Sequence, residues 1–362
     1  MENRTKELRS INDVSAQAAM DDLARALSGV GPALAFGPFN THEVPASIAI
    51  VVATSGSTGA AKEVALSSRA ILASAKSSND FLGARFGDTW SLLLPLTHIA
   101  GVNVLARSLG LGTAPIDLRN AVEYPKADFT AIVPTQLFRA LNGDQLLLNH
   151  LRECKAVLVG GAALTDDLHS QARDAGINIV TTYGMTETCG GCVYNGKPLD
   201  GVEVEIREGF IAIKGAVLAT TYLDNEVEWL ESFQDGWFLT KDLGSVESNF
   251  LTVQGRSDEI FISGGEKISL SAVETILGKE YPLESFAAFS IDDVEWGSAL
   301  HIALVQNSNI SQEEISDSLT RALGHIAKPK GFLRIAKIPF TEIGKVDRQA
   351  LIELATAQRG LK

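Results

Sequence analysis

Five short apolar runs in the first half of this chain constrain its fold more than any other feature. IAIVVA (48–53) precedes SSRAILASAKSSNDFLG, and WSLLLPL (90–96) precedes GVNVLARSLG. FTAIVP (129–134) precedes TQLFRALNG, KAVLVGG (155–161) precedes DDLHSQARDAG, and INIVTTYG (177–184) closes the series. Strands apolar on both faces and alternating with helices are the pattern of a largely parallel sheet covered on both sides. Ahead of them, residues 1–45 read as one helix, DVSAQAAMDDLARALSG, and a Gly/Pro-rich connection, GVGPALAFGPFN.

The period changes near Gly201. GVEVEIREGFIAIKG and WFLTKDLGSVESNFLTVQG alternate apolar and polar residues, as antiparallel hairpins do. From Ser257 onward the pattern is mixed, with EIFISGG, AAFSIDD and ALHIALVQ as strands and SLSAVETILGK, EEISDSLTRALG and DRQALIELATAQ as helices. A chain of 362 residues accommodates this as two domains. We therefore expect an α/β fold. A large N-terminal domain (1–256) has mainly parallel sheets and an antiparallel region. A small α+β C-terminal domain (257–362) follows. The net charge of −13 disfavours nucleic acid and anionic membrane surfaces as partners. Three cysteines make no disulfide framework, and the polar start MENRTKELRS lacks a signal-peptide core. No apolar run is long enough to span a membrane, so a cytoplasmic protein is expected.

The stretch VVATSGSTGAAKEVALSS follows the first apolar run. Its spacing, Gly56-x-x-Gly59-x-x-Lys62, fails the Walker pattern and lacks the hydroxyl after the lysine. The chemistry still suits phosphate. Gly56 and Gly59 admit oxyanions close to backbone N–H groups, Thr54, Ser55, Ser57 and Thr58 offer hydroxyls, and Lys62 adds charge. Alone, the stretch is equally a flexible Ser/Gly turn. Tyr183-Gly184-Met-Thr186-Glu187 lies at a strand end, where α/β proteins place ligands. Glu187 could hold Mg2+ through oxygen, and the Tyr183 ring could stack on a base. Lys241-Asp242-Leu-Gly, between two antiparallel strands, offers a ribose acceptor or an ordinary turn aspartate. Gly255-Arg256-Ser-Asp258 offers a phosphate or ribose contact, or a linker arginine. PFTEIGK ends in Lys345 just ahead of a helix, where it could reach a cleft or merely flank that helix.

The order of these motifs is more specific than any one of them. A hydroxyl-rich phosphate loop, then YGMTE, KDLG, GRSDEI and PFTEIGK, resembles the adenylate-forming superfamily of acyl- and aryl-CoA ligases, luciferases and adenylation domains. The resemblance runs from about Ile48 to the C-terminus. Residues 54–62 match the family loop except at Ala61, where proline is usual. It implies a nucleotide site of Thr54, Ser55, Gly56, Ser57, Thr58, Gly59 and Lys62 at the phosphates. Gly160, Gly161, Ala162, Tyr183 and Gly184 would surround the adenine, and Asp242 and Arg256 would meet the ribose. Thr186 would meet the α-phosphate, Glu187 the metal, and Lys345 would be the adenylation lysine. Asp258 falls at the family's hinge, about which the small domain would turn between half-reactions.

Ser263-Gly264-Gly265-Glu-Lys267 and Glu295-Trp296-Gly297 resemble segments that line the coenzyme A face in CoA ligases, although Lys267 also reads as a surface lysine. PLTHIAG (95–101) resembles the motif preceding the acyl pocket, which implies a catalytic role for His98, although a histidine there is equally a satisfied core residue. The short region before the phosphate loop and YGMTETCGGCVYNGKPLDGVEV resemble the short actinobacterial-type o-succinylbenzoate–CoA ligases of menaquinone synthesis. Cys189 and Cys192 lie inside that match and read as small packed residues rather than as a zinc or redox pair. The implied activity is ATP-dependent, AMP-forming ligation of a carboxylic acid to CoA, with ATP, Mg2+ and CoA required. Ligation of another aryl or fatty acid, and carrier loading without CoA, remain as alternatives. The expected partners are small molecules, and a homodimer is compatible with the sequence.

Overall fold

The computed structural model describes residues 4–11, 14–54, 62–282, 284–341 and 345–360. The apolar run 48–53 is the strand Ile48–Thr54, buried except at its last two residues. It pairs in parallel with Ala33–Phe36 and antiparallel with Lys62–Ser67. The first sheet runs Thr221–Tyr222, Lys62–Ser67, Ile48–Thr54, Ala33–Phe36, Thr5–Ser10, Glu43–Pro45.

This corrects the sequence reading twice. Residues 1–45 hold strands at Thr5–Ser10, Ala33–Phe36 and Glu43–Pro45 besides the helix Ala16–Leu27. ALAF is fully buried, yet it is only four residues long and bracketed by Gly and Pro, so its pattern was too short to read as a strand. Lys62 also opens a strand, Lys62–Ser67, that the sequence reading did not assign. The helix Ser68–Phe81 starts six residues later, where the Ser67 hydroxyl accepts from Ala70 N–H.

The remaining apolar runs build a seven-stranded sheet. Ile116–Asp117, Trp90–Leu92, Phe129–Ile132, Ala156–Val159 and Ile179–Met185 are parallel neighbours, and Gly190–Tyr194 and Lys197–Pro198 extend it antiparallel. The inner faces of both sheets share one core with the helices Ala16–Leu27, Ser68–Phe81 and Ile99–Leu111. Ile99–Leu111 is buried at ten of its positions, as its near-continuous apolar sequence requires. Each large aliphatic side chain there contributes about 1.5–3 kcal/mol. Three helices cover the outer face of the second sheet: Pro134–Leu141, Gln145–Glu153 and Asp166–Asp174.

The antiparallel region is as the period-two sequence predicts. Val202–Arg207 and Phe210–Gly215 form a hairpin whose turn residues, Glu208 and Gly209, both have positive φ. Ser248 and Asn249 make the same turn between Trp237–Glu247 and Phe250–Arg256. Such turns match the twist of the strands they join.

The chain divides into two compact units, Met1–Leu164, Leu168–Thr240 and Gly244–Thr252 forming the first, and Thr165–Asp167, Lys241–Leu243 and Val253–Lys362 the second. Within the second, a sheet of Glu266–Ser269, Ile260–Ser263, Gly297–Val305, Phe286–Asp293 and Gly331–Ile335 has apolar clusters on both faces. Arg348, at the start of the helix Arg348–Gly360, binds Glu259 at 2.9 Å, Glu274 at 2.8 Å and the Ala288 carbonyl at 3.1 Å. Among the described residues, no helix is long and apolar enough to cross a membrane.

One buried base in the first unit sets a pH dependence. His150 is packed under the second sheet, its Nε2 2.8 Å from Ser91 Oγ and its ring edge-on to Tyr124. Burial pushes its pKa below the usual imidazole value, against the opposing field of Glu153. The stabilisation is full above the unfolded pKa of about 6.5. It falls away as pH drops below that value, because the unfolded chain binds the proton first. The expected loss is at most about 1.4 kcal/mol per pH unit. Denaturant midpoints measured between pH 7.5 and 5 should fall less for His150→Gln than for the wild type; equal slopes would remove His150 as a cause.

Candidate active site

The site in the first unit begins where Thr54 pairs with Lys62 across the hairpin. Ser55, Gly56, Ser57, Thr58 and Gly59, with Ala61, lie outside the described residues. Lys62 Nζ is 2.5 Å from Glu228 Oε1 and lies over the Tyr222 ring, 4.9 Å from its centroid. The Tyr222 hydroxyl donates to Glu187 Oε1 at 2.8 Å. One aromatic ring therefore links the expected phosphate lysine to the expected metal carboxylate. Tyr222 was not singled out from sequence; only its strand pairing, Tyr222 with Val64, brings it beside Lys62.

Thr186 and Glu187 sit in a single 3-10 turn, Thr186–Thr188, after the strand Ile179–Met185. The turn is held from several sides. Thr188 Oγ1 accepts from Met185 N–H at 2.9 Å, and Ala219 N–H donates to the Glu187 carbonyl at 2.8 Å. The Cys189 carbonyl accepts from Ser74 Oγ and Asn103 Nδ2 at 2.9 and 2.6 Å. Among the described residues no group of three or more His, Cys, Asp or Glu side chains could hold a metal. A lone, half-buried Glu187 with its carboxylate oriented by Tyr222 still fits Mg2+, which keeps most of its ligands from phosphate and water.

Gly160 follows the strand Ala156–Val159. A Cβ there would lie 2.1 Å from Thr182 Oγ1, so only glycine lets the two strand ends approach. Gly161 and Ala162 are exposed beside it, and Tyr183 and Gly184 are half-buried near the end of the neighbouring strand. His98 is the half-buried residue at the N-terminus of the helix Ile99–Leu111. Next to it, an open depression of about 450 Å3 is lined by Ser10, Gly37, Pro38, Phe39 and Thr97.

Arg107, on the same helix, was also missed. It is 3% exposed, with Nη2 donating to Tyr194 Oη at 3.1 Å and its guanidinium 4.9 Å above the Trp90 ring. Burial lowers its pKa, and no carboxylate pairs with it among the described residues. Its Nε and the nearby Asn103 Oδ1 lack hydrogen-bond partners. A buried cation without an anion is costly. Its signal in the sequence was an arginine inside an otherwise apolar helix.

In the second unit, Asp242 is not a turn residue. It lies inside the strand Trp237–Glu247 and is buried. Arg256 reaches it through Nη1 at 3.1 Å and grips Asp258 through Nε and Nη2 at 2.8 and 2.7 Å. The hydrogen bonds to Asp258, aided by the Asp242 charge, raise the Arg256 pKa further. The two expected ribose groups and the expected hinge residue thus form one cluster. Lys345 is exposed, and its backbone is fastened to Thr341 by bonds of 2.8 and 3.2 Å.

Gly264 has φ 56° and donates to the Trp296 carbonyl at 3.0 Å, and a Cβ there would meet the indole at 2.8 Å. Gly297 pairs with Ser263 in the same sheet, and Lys330, which the sequence reading missed, places Nζ 3.8 Å from the Trp296 ring centroid. Gly265 is exposed with open space around it, and Lys267 is exposed on the adjoining strand. Two further groups within the second unit are thus Asp242–Arg256–Asp258 and Gly264–Trp296–Gly297.

A lysine paired with Glu228, a carboxylate fixed at a strand end and a mixed α/β scaffold fit an enzyme of the adenylate-forming class. The model described as AMP-binding enzyme matches residues 6–223, and the chain belongs to that family. It is 37% identical over 361 residues to the probable 2-succinylbenzoate–CoA ligase of Mycobacterium tuberculosis, covering 91% of this chain and 93% of that protein. It is 30% identical to the 2-succinylbenzoate–CoA ligase of Lactococcus lactis, over 84% of this chain and 70% of that one. Among solved structures it resembles the o-succinylbenzoate coenzyme A synthetase (MenE) of Bacillus subtilis in complex with AMP. There the TM-score is 0.73 and the identity 27%, over 84% of this chain and 69% of that one.

The cysteines are chemically quiet. Cys154, Cys189 and Cys192 are all buried as free thiols. Burial pushes Cys154 and Cys192 up to about 12 and Cys189 higher still. Little thiolate forms at neutral pH, and the thiolate is the reactive form. Native protein at pH 8 should therefore resist iodoacetamide for hours, and denatured protein should take up three labels; rapid native labelling at Cys189 or Cys192 would contradict this packing.

Proposed function

We propose that the protein is an ATP-dependent, AMP-forming acid–CoA ligase acting on 2-succinylbenzoate in menaquinone synthesis. The observation that carries this reading is the convergence of Lys62 and Glu187 on Tyr222, one at its ring face and the other at its hydroxyl. The similarity to 2-succinylbenzoate–CoA ligases supports the acid and the thiol. The substrate carboxylate attacks the α-phosphorus of ATP, and the bond to the β-phosphate oxygen breaks, releasing pyrophosphate. The CoA thiol, losing its proton, then attacks the acyl carbon, and AMP leaves.

Lys62 and the hydroxyls of Thr54, Ser55, Ser57 and Thr58 hold the departing phosphates. Thr186 and Lys345 would stabilise the α-phosphate, where charge builds in the transition state. Asp242 and Arg256 take the ribose, and the segment from Gly160 to Ala162 with Tyr183 and Gly184 takes the adenine. Mg2+, held by Glu187 and phosphate oxygens, would neutralise phosphate charge. In the second half-reaction the second unit turns about Asp258, and Gly264, Gly265, Lys267, Trp296 and Gly297 receive CoA. His98 borders the acyl pocket. The buried, carboxylate-free Arg107 suits the second carboxylate of a dicarboxylic acid.

Pyrophosphate release should be fastest with 2-succinylbenzoate and should lead to thioester only when CoA is present. Turnover no better than that of benzoate or octanoate would sink the named acid, and no release with any acid would sink the ligase. Lys345→Ala should lose adenylation by roughly a hundredfold or more. It should still transfer preformed acyl-adenylate to CoA; equal loss of both halves would refute its assignment. Arg107→Met should raise KM for 2-succinylbenzoate by roughly tenfold or more while sparing KM for ATP. A matching rise in both would make Arg107 a packing residue only.

A further inference from the structure

We infer that Tyr222 and Glu228 are positioning residues that make the triphosphate end of the site accept metal-bound nucleotide and reject the bare nucleotide. This rests on the ligase reading above. Neither residue belongs to the sequence motifs named in the sequence analysis. Lys62 is a flexible point charge, and its aim must be set from outside. Glu228 holds it on one side at 2.5 Å, and the Tyr222 ring supports it on another.

Both holders are themselves fixed. Asn225 Nδ2 donates to Glu228 Oε2 at 3.0 Å, while Asn225 Oδ1 accepts from Glu228 N–H at 3.2 Å. Tyr222 is locked by its pairing with Val64 and by edge-on packing against Trp229 at 5.3 Å. Its hydroxyl then orients Glu187. A carboxylate oriented in this way behaves like the hydrogen-bonded ligands of other metal sites, where the outer partner sets affinity.

The charge count gives the selectivity. Lys62 contributes one positive charge, while Glu187, Glu228 and Asp224 set carboxylates around Tyr222 and Glu63 follows Lys62 in the strand. Bare triphosphate therefore meets a carboxylate already bound to the lysine it needs, and another at the Tyr222 hydroxyl. A divalent cation offsets that excess. It gives Glu187 a partner and lowers the charge of the incoming phosphates, so that the carboxylates repel them less.

The test is equilibrium binding by calorimetry, with ATP in excess Mg2+ and with ATP in EDTA, and without the acid, so that no turnover intervenes. Wild-type protein should bind ATP much more tightly with Mg2+. Tyr222→Phe keeps the ring under Lys62 and removes only the bond to Glu187. It should weaken binding with Mg2+ by roughly tenfold and leave binding in EDTA unchanged. Glu228→Gln keeps the shape and removes the charge. It should strengthen binding in EDTA by roughly threefold or more. Tyr222→Phe within twofold of wild type in Mg2+, or Glu228→Gln no tighter than wild type in EDTA, would each overturn the inference. Wild-type protein that binds no ATP in either condition would instead remove the ligase reading, and this inference with it. Thermal unfolding of each variant checks that it is folded, and Glu228→Gln, at a half-exposed helix position, preserves a test if Tyr222→Phe does not fold.

Discussion

The buried carboxylate of Glu63 is the fixed point around which the first unit's site is arranged. It is 3% exposed and accepts from Asn40 N–H at 2.5 Å, from Thr41 N–H at 3.4 Å and from the Thr41 hydroxyl. Its own N–H donates to Asp224 Oδ1 at 3.1 Å, and its carbonyl accepts from Leu223 N–H. A charge so deep persists only when its hydrogen bonds are made. Leaving one unmade costs about 1–3 kcal/mol. Segments 40–41, 62–63 and 223–224 are thus tied at one residue. Tyr222 and Glu228, on either side of the last of these, are placed relative to Lys62 by the same bonds.

This arrangement divides labour between rigid and adjustable parts. The strand end and 3-10 turn that carry Thr186 and Glu187 are pinned by backbone hydrogen bonds, a buried hydroxyl and the core around Cys189 and Cys192. Lys62 and Lys345 are long side chains on strand or loop ends, and Lys62 is aimed by Glu228 and the Tyr222 ring. In the second unit, Arg256 is held at two edges of its guanidinium, by Asp242 and by Asp258.

Much of the scaffold was legible because its strands are apolar on both faces. Ile48–Thr54, Phe129–Ile132 and Ala156–Val159 each appear in the sequence as an uninterrupted run. The strands at Thr5–Ser10, Ala33–Phe36 and Lys62–Ser67 were not legible, being polar, very short or fused to a helix signal. The site was legible where chemistry sits in local motifs, as in YGMTE and PFTEIGK. It was illegible where function depends on contacts far apart in the chain. Tyr222 meets Glu187 across 35 positions and Lys62 meets Glu228 across 166. Arg107 and Lys330 matter through the rings they cover, which no local spacing reveals.

Those rings have an optical consequence. The chain has four tryptophans, and three of them lie under a cation: Trp90 under Arg107, Trp237 under Arg207 and Lys214, and Trp296 under Lys330. Trp229 instead stacks on Phe233 and Phe238 and touches Tyr222 edge-on. Each indole therefore emits from a different electrostatic setting. A nearby positive charge shifts indole emission according to its side of the ring, and an apolar stack leaves it blue. With single-tryptophan variants, the natural fluorescence becomes a four-channel record. It reports separately on the buried arginine, the antiparallel region, the second unit and the ring that carries Lys62.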